Sequence, residues 1–330
     1  MRITVVAPAG EGQLGPSLVS GFLAQGHDTS LVDAPRLTSG HGVYVRARRL
    51  HVAGPLLGLA GGNLVERVAQ QRPDLVVVVK GRFVSAQTVR RLRRATGAVL
   101  VNWCPDDPLY PAFREAGWLQ SLREFDVVAI WSQALCGRLR AEGIRCLAVP
   151  FGYDPIWYAD DPPEPRRWDV VFVGQWSPER EAHIRALQDL AVGVTGSGWE
   201  AAARRSHLAA TVIPGRFFGR EAASLYRSAA VGLNILHPQN AGTHNMRTWE
   251  LPATATPMVA TDSREHRTIF VNGGALLANG PTAMRAAVAE ILTGPVNPRE
   301  LGLAGRAAVA GGTYAERTAT LLREIGSGLG

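Results

Sequence analysis

Short runs of apolar, mostly β-branched residues recur along this chain, separated by helix-length amphipathic stretches, and this alternation constrains the fold more than any other feature. A chain written this way makes β–α–β units, which assemble into parallel sheets of the α/β class. In the first half the expected strands are Ile3–Ala7, Thr29–Val32, Leu75–Val79, Val99–Trp103, Val127–Trp131 and Leu147–Pro150. Helices are expected between them, at Pro16–Gln25, Leu64–Gln71 and Ala86–Ala95. The unbroken apolar run Val76–Val79 predicts a strand covered on both faces. Pro35–Gly62 fits neither the strand nor the helix period.

The alternation stops at Tyr153–Pro165, where four prolines stand among acidic residues. Proline cannot sit in a buried strand, so this stretch reads as a hinge. Strands then resume at Val170–Val173, Val192–Thr195, Val231–Ile235, Pro257–Thr261 and Ala275–Leu277, with helices at Ala222–Ser228, Asn245–Leu251, Thr282–Leu292 and Arg299–Val309. A length of 330 residues suits two domains. The expected division is a first Rossmann-like lobe over 1–152, a hinge over 153–168 and a second Rossmann-like lobe over 169–330, with the last helix able to pack back on the first lobe. Ligands of doubly wound sheets bind beyond the carboxyl ends of the strands. Two such sheets would therefore face a common central cleft.

Composition removes several classes. The 46% hydrophobic and 19% charged residues are those of a globular protein. No apolar run approaches the ~20 residues of a spanning helix, and the polar residues after Met1–Ala7 break any signal-peptide core. A cytoplasmic protein without a transmembrane segment is expected. The net charge of +7 is carried almost wholly by scattered arginines, with Lys80 the single lysine. That scatter argues against nucleic acid and permits peripheral contact with a membrane, or a positive cleft for an anionic substrate. Cys104, Cys136 and Cys146 form no Cys-x-x-Cys pair, and His183, His207 and His266 have no partners at ligand spacing, so neither a disulfide framework nor a metal is expected.

Gly10-Glu-Gly12-Gln-Leu-Gly15 follows the first strand and precedes a helix, and Asp33 ends the second strand about 18 residues later. Three readings stand side by side: a dinucleotide fingerprint, a tight β–α turn without ligand, or a loop whose free N–H groups meet a phosphate or an acceptor. Pro8 and Ala9 delay the first glycine beyond its usual place in a dinucleotide site.

The strongest block is Val231 to Phe270. Its strand runs into His237-Pro-Gln-Asn240-Ala-Gly-Thr-His244-Asn245-Met-Arg247-Thr-Trp-Glu250, then returns at Pro257–Asp262. His244 and Asn245 are expected in the first turn of a helix, where unpaired N–H groups favour a diphosphate. Glu250 is placed to accept hydrogen bonds from a ribose diol. This block resembles the C-terminal domain of CgeB-type (spore maturation protein B-like) glycosyltransferases, within the retaining GT-B superfamily. In the wider superfamily two glutamates spaced eight apart flank this helix; Glu250 matches the second, while Gly242 stands at the first. The resemblance extends to Asp169-Val-Val-Phe-Val-Gly174 and Arg180, where Gly174 would admit the donor and Arg180 would hold phosphate. It also extends to Asn102-Trp-Cys-Pro-Asp106-Asp107-Pro108 in the first lobe.

The resemblance implies a GT-B enzyme moving a sugar from a nucleoside-diphosphate sugar (UDP-, GDP- or dTDP-linked) to a small-molecule or cell-envelope acceptor, without metal or other cofactor and with retention. The donor residues would be Gly174, Arg180, His244, Asn245, Arg247 and Glu250. Gly10, Gly12, Gly15 and Lys80 would face the acceptor. Asp106, Asp107 and His244 would be the catalytic candidates, although adjacent aspartates in an extended segment point apart and cannot form a close dyad. The competing readings are an NAD-dependent oxidoreductase built on the Gly10–Gly15 loop and a non-catalytic nucleotide-sugar-binding protein.

Overall fold

A computed structural model describes residues 1–34, 63–82, 84–111, 113–114, 116–159, 164–215 and 217–327. Pro35–Gly62, and residues 160–163 of the proline-rich stretch, lie outside the described residues. The chain divides into two units, Met1–Pro150 with Tyr314–Gly330, and Phe151–Thr313.

The first unit holds six parallel strands: β1 (Arg2–Ala7), β2 (Asp28–Asp33), β3 (Leu75–Val79), β4 (Val99–Cys104), β5 (Val127–Ile130) and β6 (Cys146–Ala148), in the order β2-β1-β3-β4-β5-β6. The second holds β7 (Trp168–Val173), β8 (Val192–Thr195), β9 (Thr211–Val212), β10 (Ala229–Asn234), β11 (Met258–Thr261) and β12 (Leu276–Ala278), in the order β12-β11-β10-β7-β8-β9. Every pairing is parallel, so all strand ends of one sheet open on the same edge. Strand order reverses at β1/β3 in the first sheet and at β7/β10 in the second. Those are the switch points at which helices leave on opposite faces and a crevice opens at the strand ends.

The reason for the strands is visible in β3, whose five residues are all buried. Helices cover both faces, and each buried valine contributes roughly 1.5–3 kcal/mol relative to exposure. In the second unit Phe172, Trp199, Val231 and Leu233 anchor one core of sixteen buried residues that spans both sides of the β7/β10 boundary. The last helix, Tyr314–Gly326, lies on the helix Leu14–Leu23 of the first unit. There Gly21 leaves only 2.6 Å between a would-be Cβ and the Tyr314 carbonyl oxygen, and the Gln25 Nε2 donates to the Ala315 carbonyl at 3.0 Å and the Thr318 hydroxyl at 2.6 Å.

One expectation about local structure is corrected. The helix expected to open at His244–Asn245 runs from Arg247 to Ala253. Asn245 precedes it and acts on it, its Oδ1 accepting from the Thr248 N–H at 3.1 Å while Thr248 Oγ1 accepts from the Asn245 N–H at 3.3 Å. This reciprocal pair uses a donor of the first turn that was expected to be open.

Candidate functional site

The β7/β10 switch point is built around one guanidinium. β7 ends into Gly174, and Ser177 then caps the helix Pro178–Arg185, its hydroxyl accepting from the Arg180 N–H at 3.3 Å. That cap and the proline at the first helical position fix where the Arg180 side chain leaves the helix. Arg180 crosses to β10: Nε and Nη2 donate to the Ile235 carbonyl at 3.1 and 2.8 Å, and Nη1 donates to the Gln175 carbonyl at 2.8 Å. The guanidinium stacks over Phe172, 5.3 Å from the ring centroid. A Cβ on Gly174 would stand 2.8 Å from the Phe172 ring that carries the guanidinium and 3.5 Å from Arg180 Nη1, so the glycine lets the backbone pass close to this stack.

Arg180 is only 7% exposed, and among the described residues no carboxylate forms an ion pair with it. Burial lowers its pKa to about 10, with the nearby Arg247 cation adding to the shift. It therefore stays charged at neutral pH. Its hydrogen bonds all go to carbonyl oxygens, with the Phe172 ring face and the nearby Glu179 charge in support but no ion pair made, which is an arrangement an incoming anion completes.

Arg247 and Glu250, one turn apart on the helix Arg247–Ala253, are ion-paired, and Glu250 is 3% exposed. Burial acts to lower the Arg247 pKa, but the Glu250 carboxylate together with the Tyr226 and Tyr158 phenols outweighs it and the net shift is upward. Beneath them Asn234, at the end of β10, joins the helix to the strand: its Nδ2 donates to Thr248 Oγ1 at 3.0 Å and its Oδ1 accepts from Asn245 Nδ2 at 2.9 Å. Thr248 in turn meets His266 Nε2 at 2.8 Å, while His266 Nδ1 donates to the Thr261 carbonyl at 2.6 Å.

His244 stands in a different cluster. Its Nε2 accepts from the Phe151 N–H at 3.3 Å and its Nδ1 lies 2.5 Å from Glu265 Oε2. Phe151 and Trp249 pack edge-on against the ring, each with centroids 5.7 Å away. Both nitrogens are thus engaged, on a side chain that is 3% exposed. Of the residues singled out in the second lobe, the structure brings Gly174, Arg180, Arg247 and Glu250 to the switch point. It makes Asn245 a helix cap and His244 a buried node.

In the first unit the predicted residues fall at the ends of β1, β3 and β4. Gly12 has φ 67°, a conformation that favours glycine. Gly15 lies where a Cβ would be 2.6 Å from the Ala7 Cβ and 2.8 Å from the Pro8 carbonyl oxygen. A Cβ on Gly10 would meet the end of the Gln13 side chain at 2.7 Å. Lys80, just past β3, has φ 63°, a costly value for a residue with a Cβ. Its carbonyl accepts from Trp118 Nε1 at 3.1 Å and Asn102 Nδ2 at 3.4 Å, and its ammonium meets Asp106 Oδ2 at 2.5 Å. Asp107 turns the other way: Oδ1 accepts from the Leu109 N–H at 2.8 Å and Oδ2 meets Arg138 at 3.2 Å. The two aspartates diverge onto separate cations, as their adjacency requires.

Among the described residues no group of three or more His, Cys, Asp or Glu is arranged to hold a metal ion, and no helix is long and apolar enough to cross a membrane. Sequence reading missed the supporting residues Asn234, Thr248 and Gly196. Thr195-Gly-Ser-Gly198 after β8 carried the same strand-then-glycine signal as Gly10–Gly15 and was the cue for the last of these.

Residues 180–323 match the family model described as glycosyl transferase-like. Among curated protein sequences none matches. Among solved structures the chain is similar to sucrose-phosphate synthase from Thermosynechococcus elongatus, at 15% identity and TM-score 0.70, covering 99% of both chains. It is also similar to the Anabaena protein HepE in complex with UDP, at 13% identity and TM-score 0.66, covering 99% of this chain and 100% of that one. AviGT4, a glycosyltransferase involved in avilamycin A biosynthesis, aligns at 16% identity and TM-score 0.63, over 99% and 98%. Two six-stranded parallel sheets with these switch points are thus the two-domain GT-B fold of glycosyltransferases, and the glycosyl transferase-like sequence pattern covers β8–β12 of the second sheet and runs on into the last helix.

Proposed function

We propose that the protein transfers a glycosyl unit from a nucleoside-diphosphate sugar to a hydroxyl-bearing small molecule or cell-envelope acceptor, without a metal and with retention, in the CgeB-type branch of the superfamily. The observation that carries this reading is Arg180, a buried guanidinium at the β7/β10 switch point whose hydrogen bonds go to carbonyl oxygens and which, among the described residues, makes no ion pair. A diphosphate seated on Arg180 beside Gly174 satisfies that charge. As the glycosidic bond breaks, the leaving diphosphate gains negative charge, and a fixed, desolvated cation stabilises it without reorganisation. Glu250 is assigned to the ribose hydroxyls, with Arg247 orienting its carboxylate. His244 and Asn245 support the loop that leads to them. Lys80, Asp106 and the Gly10–Gly15 loop are assigned to the acceptor, and the cytoplasm to the protein.

Replacing Arg180 with alanine is expected to weaken nucleoside-diphosphate binding by roughly 10- to 100-fold, the range of a charge-assisted hydrogen bond. Calorimetric titration measures it, with the melting temperature as the check on folding. Unchanged affinity in a folded Arg180→Ala protein overturns this donor site. Stabilisation by NAD in place of nucleoside diphosphates would favour an oxidoreductase, and binding without turnover of any acceptor would favour a binding protein.

A further inference from the structure

A cavity of about 410 Å³ opens beside the Arg180 centre, at the carboxyl ends of β8 and β9. Gly196, Ser197, Gly198 and Gly215 form its backbone rim, and Glu200 and Arg204 stand on its helical wall. Its rim meets the switch point at Gly196. Gly196 has φ 131° and approaches so closely that a Cβ there would lie 2.2 Å from the Gly174 carbonyl oxygen. Trp199 Nε1 donates to the same oxygen at 2.8 Å. A nucleotide whose diphosphate rests at Gly174 and Arg180 thus has this cavity next to it on the β8 side.

The wall is chemically uneven. Glu200 and Arg204 are four residues apart on the helix Trp199–Ser206, hence on one face. Among the described residues neither belongs to an ion pair. A carboxylate and a guanidinium side by side present acceptors and donors together.

Resting on the donor reading above, we propose that this cavity takes guanine and that the donor is a GDP-sugar. Guanine offers two adjacent edges that match the wall. Its ring N–H and amino group are donors for the Glu200 carboxylate, and its O6 and N7 are acceptors for the Arg204 fork. Uracil and thymine offer one ring N–H flanked by two carbonyl oxygens, which face a carboxylate unfavourably. Adenine offers no ring N–H donor to a carboxylate beside two acceptors for a guanidinium. Selectivity then comes from repulsion of the wrong base as well as attraction of the right one.

The experiment titrates the full chain with GDP and UDP by calorimetry, in the native protein and in Glu200→Gln and Arg204→Gln. The expected result is GDP binding at least about tenfold tighter than UDP, with either substitution bringing the two within a few-fold, as loss of one bidentate base contact implies. UDP binding as tightly as GDP or tighter overturns the guanine assignment and leaves the donor site standing, provided Arg180→Ala still weakens nucleotide binding. A preference for GDP that survives both substitutions places the base elsewhere and overturns the cavity's role. Binding of neither nucleotide, or binding indifferent to Arg180, removes the donor site and this inference together.

Discussion

His266 shows how much a single side chain can hold. It is wholly buried, and burial lowers its pKa to about 4, helped by the nearby His244 and opposed by the hydrogen bond to the Thr261 carbonyl. It is neutral in the folded protein at neutral pH, with its proton on Nδ1, so that Nε2 can accept from Thr248. In the unfolded chain the same imidazole takes a proton near pH 6.5. Between pH 6.5 and 4 the unfolded state binds the extra proton, so stability falls as pH falls through that window, by up to about 3 kcal/mol. Denaturant titrations of the native protein and of His266→Asn across this range test the point. The native curve is expected to fall more steeply, and parallel curves would mean that His266 does not titrate as its burial requires.

Among the elements, Gly15 explains what its motif is for. The helix Leu14–Leu23 starts against β1, and a Cβ at Gly15 would meet Ala7 and the Pro8 backbone, neither of which can rotate away. Gly15→Ala is therefore expected to cost roughly 1–3 kcal/mol, the range for overpacking a tight contact, readable as a lower denaturant midpoint. An unchanged midpoint would show that the helix shifts freely on the strand. The same elements show what could be read in advance. The expected strands were found with shifts of a residue or two at their ends, because continuous apolar β-branched runs have no other stable home. β9 was not foreseen: two residues are too short to show a period. The helices Pro178–Arg185 and Trp199–Ser206 were missed for a different reason. Each buries few residues along a mostly charged or alanine-rich surface, so no apolar stripe marks it. At the site, Gly174, Arg180 and Glu250 were legible from their places after strands and in the block that resembles a family. The start of the helix at Arg247 was not, because it turns on the Asn245–Thr248 cap rather than on apolar spacing. The inward burial of His244 depends on Phe151 and Glu265, partners remote in sequence that no local pattern announces.

At the scale of the molecule, the units are not simple halves of the sequence, since Tyr314–Gly330 belongs with Met1–Pro150. The consequence is energetic. Leu321 is fully buried in the core that also contains Ile3, Val5, Leu18 and Phe22, so the first unit's core is complete only once the last helix has arrived. Leu321→Ala removes about 2–5 kcal/mol by leaving a cavity in that core. The loss belongs to the first unit, because the second has its own core around Phe172, Trp199 and Val231. Amide hydrogen exchange distinguishes the two. Faster exchange is expected in β1, β3 and the helix Leu14–Leu23, with β7 and β10 unchanged, since regional opening follows the stability of each cooperative unit. Equal acceleration in both sheets would instead mean that the units unfold as one, with the last helix clamping the whole chain rather than closing a single core.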